Sequence, residues 1–138
     1  MKTIKAIKEI TDIYYKKDKR VWAQKVEDKI YVTDSYRVWV FKDEDFILDV
    51  DKFKNVEITN FFNEEGYETG IKTNELVDME KFTGVYVTNE DKSIKALLNK
   101  KYLDVFENYT LKIKGEDKPI LIYENDEVVG LVLPVRQY

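Results

Sequence analysis

The feature that most constrains this chain is the order of its hydrophobic periods: one helical stretch followed by three strand-like runs, written near the start and again near the end. From Thr3 to about Lys17, at about 100° per residue, Ile4, Ile7, Ile10 and Tyr14 fall on one face. Lys2, Lys5, Lys8 and Lys16 fall on the other, with Glu9 and Asp12 between them. Asp18-Lys-Arg20 breaks the period. Val21–Val26 and Ile30–Thr33 then read as strands joined by a tight turn at Glu27-Asp28. Tyr36–Phe41, dense in β-branched and aromatic residues, reads as a third. Lys92 to about Glu107 repeats the opening, with Ile94, Leu97, Leu98, Tyr102 and Val105 at helical spacing and Asp91 or Ser93 as cap. Leu103 falls off that apolar face, so the alternative is a strand over Ser93–Leu98 and a helix that begins only after Asn99. Thr110–Lys114, Pro119–Tyr123 and Val128–Leu133 complete the second set, separated by turns at Gly115-Glu-Asp-Lys118 and Asn125-Asp126. The expected fold class is α+β: two helix-plus-three-strand halves with both helices on one face of antiparallel sheets.

Between the halves lies an acidic middle, where Asn55–Phe62 and Tyr67–Thr73 are expected to pair across the Gly66 region and Val85–Thr88 to add a short strand. The 138 residues fit one domain, 1–138, and 43% hydrophobic content suffices for a core. With no Cys, disulfides, thiolate zinc sites and cysteine nucleophiles are excluded; with no His, the commonest general base and metal ligand are absent. No apolar run approaches the roughly 20 residues of a membrane span. The opening Met-Lys-Thr-Ile-Lys-Ala has no apolar core of a signal peptide. A cytoplasmic protein without membrane partner or cofactor is therefore expected. Its net charge of −4 is uneven: residues 1–20 hold seven basic and three acidic side chains, residues 43–91 four and fourteen, residues 92–118 seven and four. Opposite signs on different faces would follow from that layout, though an ordinary solvated surface accounts for it as well.

Several segments resemble one family. Asn99-Lys-Lys-Tyr-Leu-Asp-Val-Phe-Glu107, Thr110-Leu-Lys-Ile-Lys114, Pro119-Ile-Leu-Ile122 and Leu131-Val-Leu-Pro-Val-Arg136 are similar to the last half-domain of bacterial DNA sliding clamps, the beta subunit of the replicative polymerase. That family carries an Asn-x-x-Tyr-Leu helix start, a Pro before the penultimate strand and a terminal Met-Pro-Met-Arg. Val32-Thr-Asp-Ser-Tyr-Arg-Val38 resembles its Ala-Thr-Asp-Gly-His-Arg-Leu, and Glu75-Leu-Val-Asp78 echoes a further stretch. The resemblance covers roughly residues 1–42 and 92–136. It departs in that the family chain has three domains, Gly and His are Ser35 and Tyr36 here, and Met-Pro-Met is Leu133-Pro-Val135.

The resemblance implies a clamp-like domain in a non-enzymatic replication processivity or tethering factor, which surrounds duplex DNA without reading bases and captures peptides from a polymerase or clamp loader. Lys2, Lys5, Lys8, Lys16, Lys92, Lys95 and Lys100 would face DNA, binding weakly and non-specifically. Matching positions for a peptide pocket are Thr33, Asp34, Tyr36, Arg37, Val38, Leu131, Leu133, Pro134, Val135 and Arg136. Homo-oligomerisation is implied too, since a closed ring would need about six such domains placed head to tail. Three other readings stand beside this one: a module that imitates or obstructs a host clamp, a single-stranded nucleic-acid platform built on Trp22, Tyr31, Tyr36, Trp39 and Phe41, and catalysis by the carboxylates Asp43, Glu44, Asp45, Asp49 and Asp51. The last lacks EF-hand spacing and any Gly-rich phosphate loop.

Overall fold

Apolar side chains at helical spacing close residues Thr3–Lys16 into helix α1 in the computed structural model, which describes residues 1–136. The buried stripe is Ala6, Ile7 and Ile10, with Ile13 and Tyr14 packed alongside. Ile4 falls outside it and is 72% exposed. The Lys2 N–H donates to Val105 O at 2.7 Å and fixes the start of the helix, while Asp18 and Lys19, both at positive φ, turn the chain out of it.

The described strands are β1 (Trp22–Val26), β2 (Lys29–Thr33), β3 (Arg37–Lys42), β4 (Lys54–Asn55), β5 (Glu68–Asp78), β6 (Thr83–Thr88), β7 (Lys95–Asn99), β8 (Thr110–Ile113), β9 (Ile120–Glu124) and β10 (Glu127–Val132). They form one sheet in the order β4-β1-β2-β3-β10-β9-β8-β5-β6-β7. Neighbours are antiparallel except β1 and β4, which run parallel. Tight hairpins sit where Glu27 (φ 54°) and Asn125-Asp126 (φ 51° and 62°) take left-handed backbone, a conformation that the short side chains of Asn125 and Asp126 tolerate. The long β5 joins the two ends of the sheet, pairing with β8 through Glu68–Gly70 and with β6 beyond Ile71. The sheet curls far enough for the tail after β10 to reach β7, where the Val135 N–H donates to Leu97 O at 2.7 Å.

Alternation along the strands sorts side chains between two apolar clusters. Trp39, Phe41, Ile120, Ile122 and Val132 lie in the larger one, beneath α1. Val38, Val40, Leu121, Tyr123 and Leu131 lie in the smaller one on the opposite face, covered by Ile58 and Phe62 from the connection between β4 and β5. Gly130 is needed where the clusters meet the chain most closely: a Cβ there would stand 2.5 Å from Phe106 Cζ and 3.1 Å from Val38 O.

The expectation of two helix-plus-three-strand halves is overturned, because the described residues contain one α-helix and a single mixed sheet. The segment expected as a second helix is strand β7, then a 3-10 turn over Lys100–Leu103, then irregular chain. Strand wins because β7 pairs with β6 along its whole length, Gly84 opposite Asn99 through Thr88 opposite Lys95, and buries Ala96, Leu97 and Leu98 in succession. One helical face could bury at most part of that run. The expected pairing of Asn55–Phe62 with Tyr67–Thr73 is absent as well: Asn55 pairs with Ala23 on β1, and Thr59–Phe62 is a 3-10 turn. No helix among the described residues is long and apolar enough to cross a membrane.

Candidate functional site

The turn between β2 and β3 is built by its own side chains. Thr33 Oγ1 donates to Arg37 O at 2.8 Å and accepts the Ser35 N–H. Asp34 Oδ1 accepts the N–H groups of Tyr36 and Arg37, both at 3.0 Å. These bonds hold Ser35 at φ 80°, left-handed backbone that glycine adopts without cost. Thr and Asp at these positions are therefore requirements of the turn. Arg37 is 9% exposed; its guanidinium pairs with Glu9 at 3.2 Å and Asp34 at 3.3 Å and lies over the rings of Trp39 and Tyr102. It ties α1, the turn and the sheet together beneath the helix. Burial raises the Glu9 carboxyl above its ordinary value, with Arg37, Lys5 and Lys101 opposing.

Two distant segments meet this turn. Asn99 accepts the Lys101 N–H at 3.1 Å and opens the 3-10 turn that carries Tyr102 onto Arg37 and Leu103 into the core. Burial, and then the negative charge of Asp34, raises the Tyr102 hydroxyl above its usual value. From the other side, the Leu133 N–H donates to Tyr36 O at 2.9 Å, extending the β10–β3 pairing into the terminal Leu-Pro-Val-Arg segment.

Two hollows adjoin along this junction and share Ser35 and Leu133. The first, of about 270 Å³, lies on the sheet face opposite α1. Its floor is one rung of the sheet: Trp22 faces Thr33, Thr33 faces Val38, and Val38 faces Leu131. Its wall is the segment Val56, Glu57, Ile58 and Phe61, held in place because Gln24 Oε1 accepts the N–H groups of Ile58 and Thr59 at 2.8 and 3.3 Å. The second, of about 450 Å³, is lined by Tyr36, Phe82, Asn99, Tyr102 and the tail from Leu133 to Arg136. Tyr36, Val56, Phe61 and Leu133, all large and exposed, border the pair.

The structure thus brings Thr33, Arg37, Val38, Leu131 and Leu133 to one hollow and Tyr36, Pro134, Val135 and Arg136 to its neighbour. The polar groups of Thr33, Asp34 and Arg37 are committed to the turn and to α1, so the apolar surface carries whatever recognition occurs here. Sequence reasoning named Trp22 only for a stacking platform and did not place it here, and it missed the 56–61 wall and, for the second hollow, Phe82, Asn99 and Tyr102. Trp22 sits two cross-strand pairings from Val38, a signal that register would have supplied; the wall left none, since its anchor is Gln24.

The lysines divide. Lys2, Lys5, Lys8 and Lys16 are exposed at α1, and Lys100 is exposed on the 3-10 turn. Lys92 is in the turn before β7, and Lys95 pairs with Glu75 at 3.0 Å and lies over the Tyr86 ring. With the second helix gone, the expected pair of Lys-bearing helices side by side does not exist. In the acidic loop Asp43 pairs with Lys25 at 3.1 Å and Asp49 accepts the Asp51 N–H; no three Asp or Glu among the described residues are grouped to hold a metal ion. Comparison with protein-family models, with curated proteins and with solved structures finds no match to this chain.

Proposed function

We propose that this chain is a non-catalytic, sliding-clamp-like tethering protein of the cytoplasm that captures short peptides in the paired hollows around Leu133. One observation carries the reading: three of the segments that resemble the clamp family, 32–38, 99–107 and 131–136, are remote in sequence and contribute lining to two adjoining apolar hollows. The Ser35 backbone supports it further, because the family motif has Gly where Ser35 takes positive φ. A peptide of Leu or Phe anchors would bury them against Val38, Leu131 and Leu133 and lie against Tyr36. Each buried anchor contributes about 1.5–3 kcal/mol, so two or three supply about 3–9 kcal/mol before ordering costs, which puts micromolar affinity at the tight limit. The exposed lysines of α1 would hold duplex phosphates weakly and without sequence preference.

The test is fluorescence anisotropy with labelled clamp-binding peptides from a polymerase and a clamp loader. Micromolar binding that Val135→Asp weakens at least about tenfold, with the fold retained, supports the proposal. Absence of binding at millimolar peptide defeats it. For the DNA arm, Lys2→Glu, Lys5→Glu and Lys8→Glu together should abolish a low-salt shift of duplex DNA that is independent of sequence. Binding that survives high salt, or prefers one sequence, contradicts that arm.

A further inference from the structure

The first hollow is complete within one chain. Its floor comes from β1, β2, β3 and β10, and its wall from the connection after β4, so no neighbouring domain is required to close it. The wall also brings a charge. Glu57 stands on the rim, exposed, and makes no ion pair or side-chain hydrogen bond among the described residues. Arg37, the cation that borders the same hollow, is neutralised beneath the helix by Glu9 and Asp34. Over residues 43–91 acidic side chains outnumber basic ones by fourteen to four, with Lys52 and Lys54 preceding the wall and Glu57 the only charged side chain within it.

Resting on the peptide-capture reading, we infer that Glu57 makes the slot selective for an apolar peptide flanked by Lys or Arg, bound one to one by a single chain. The apolar anchors fill the rung between Trp22 and Leu131 against Phe61, and the flanking cation meets Glu57 at the rim. An exposed carboxylate beside an apolar groove acts by favouring the cationic partner and by repelling an acidic one.

The experiment uses two labelled heptapeptides with the same Leu and Phe anchors, one flanked by two Lys and the other by two Glu. Each is titrated by anisotropy against the wild-type chain, Glu57→Gln and Phe61→Ala, at low and high salt. The lysine peptide should bind the wild type about fivefold more tightly at low salt, a preference that Glu57→Gln removes and that salt erodes. Phe61→Ala should weaken both peptides and keep the preference, because that ring is 57% exposed and its loss leaves the core intact. Equal binding of the two peptides by the wild type, a preference that persists in Glu57→Gln, or a stoichiometry of two chains per peptide overturns the inference and leaves peptide capture standing. Failure of both peptides to bind overturns the inference together with the capture reading on which it rests.

Discussion

The two faces of the sheet differ in what covers them. Beneath α1, Trp39 and Phe41 meet a regular element that fits its Ala6, Ile7 and Ile10 against them, and even the one arginine there is consumed by two carboxylates and two rings. On the opposite face, Val38 and Val40 belong to the same strand, but their cover is an irregular segment fastened at Gln24. Ile58 of that segment is 2% exposed while Phe61 is 57% exposed, so the cover seats one side chain and leaves the next standing beside a hollow. A helix packs a face along its length; a loop pinned along β1, by the β4 pairing, the Val56 N–H bond to Ala23 O and Gln24, packs it locally and leaves a binding-sized gap beyond.

Substitutions one residue apart on β3 should break this contrast most severely. Trp39→Ala removes the large buried ring beneath α1 and should cost about 3–5 kcal/mol in urea unfolding. Val38→Ala, on the slot side, should cost about 1.5 kcal/mol and also weaken peptide binding. Arg37→Ala comes next: it leaves Glu9, 19% exposed, without its ion pair and Asp34, 8% exposed, with only the N–H bonds of the turn, and should cost about 3 kcal/mol. A drop of only a few tenths would mean the carboxylates find other partners. Val135→Asp should move the melting temperature by no more than about 3 °C, because Val135 is half-buried and its backbone N–H bond to Leu97 survives the change. Unfolding by that substitution would make the tail part of the core and remove the second hollow as a binding surface.

The smallest effect belongs to Glu9. Its folded-state carboxyl is raised above the ordinary value by burial, so the folded protein takes up this proton before the unfolded chain does. This group's contribution to stability therefore grows as pH falls from neutrality into the window just above the ordinary carboxylate range, and declines as pH rises. Urea midpoints measured from pH 7 to pH 5 should show this component in the wild type and lack it in Glu9→Gln.

Much of the sheet was legible: the runs at 21–26, 30–33, 36–41, 110–114, 119–123 and 128–133 stand close to the observed strands, 110–114 through its alternation and 36–41, buried on both faces, through its β-branched and aromatic residues. Residues 92–107 were not, since Ile94, Leu97, Leu98 and Tyr102 satisfy a helical period while the decisive fact is full-length pairing with β6, which lies outside the segment. The alternative of a strand ending near Leu98 was the better reading of that stretch. Two stretches of the candidate site, 33–38 and 131–136, stood in the sequence as motifs, but the cavity they border did not. Val56, Ile58 and Phe61 follow neither a helical nor a strand period, and what makes them a wall is a side chain 34 residues earlier than Ile58.

The chain has two tryptophans, one on each face, and their indole N–H signals report the central claim directly. In a nitrogen–proton correlation spectrum, titration with a Leu- and Phe-anchored peptide should shift the Trp22 signal, at the slot floor, and leave that of Trp39, beneath α1, in place. Movement of Trp39 with a stationary Trp22, or no movement of either at millimolar peptide, would contradict the account.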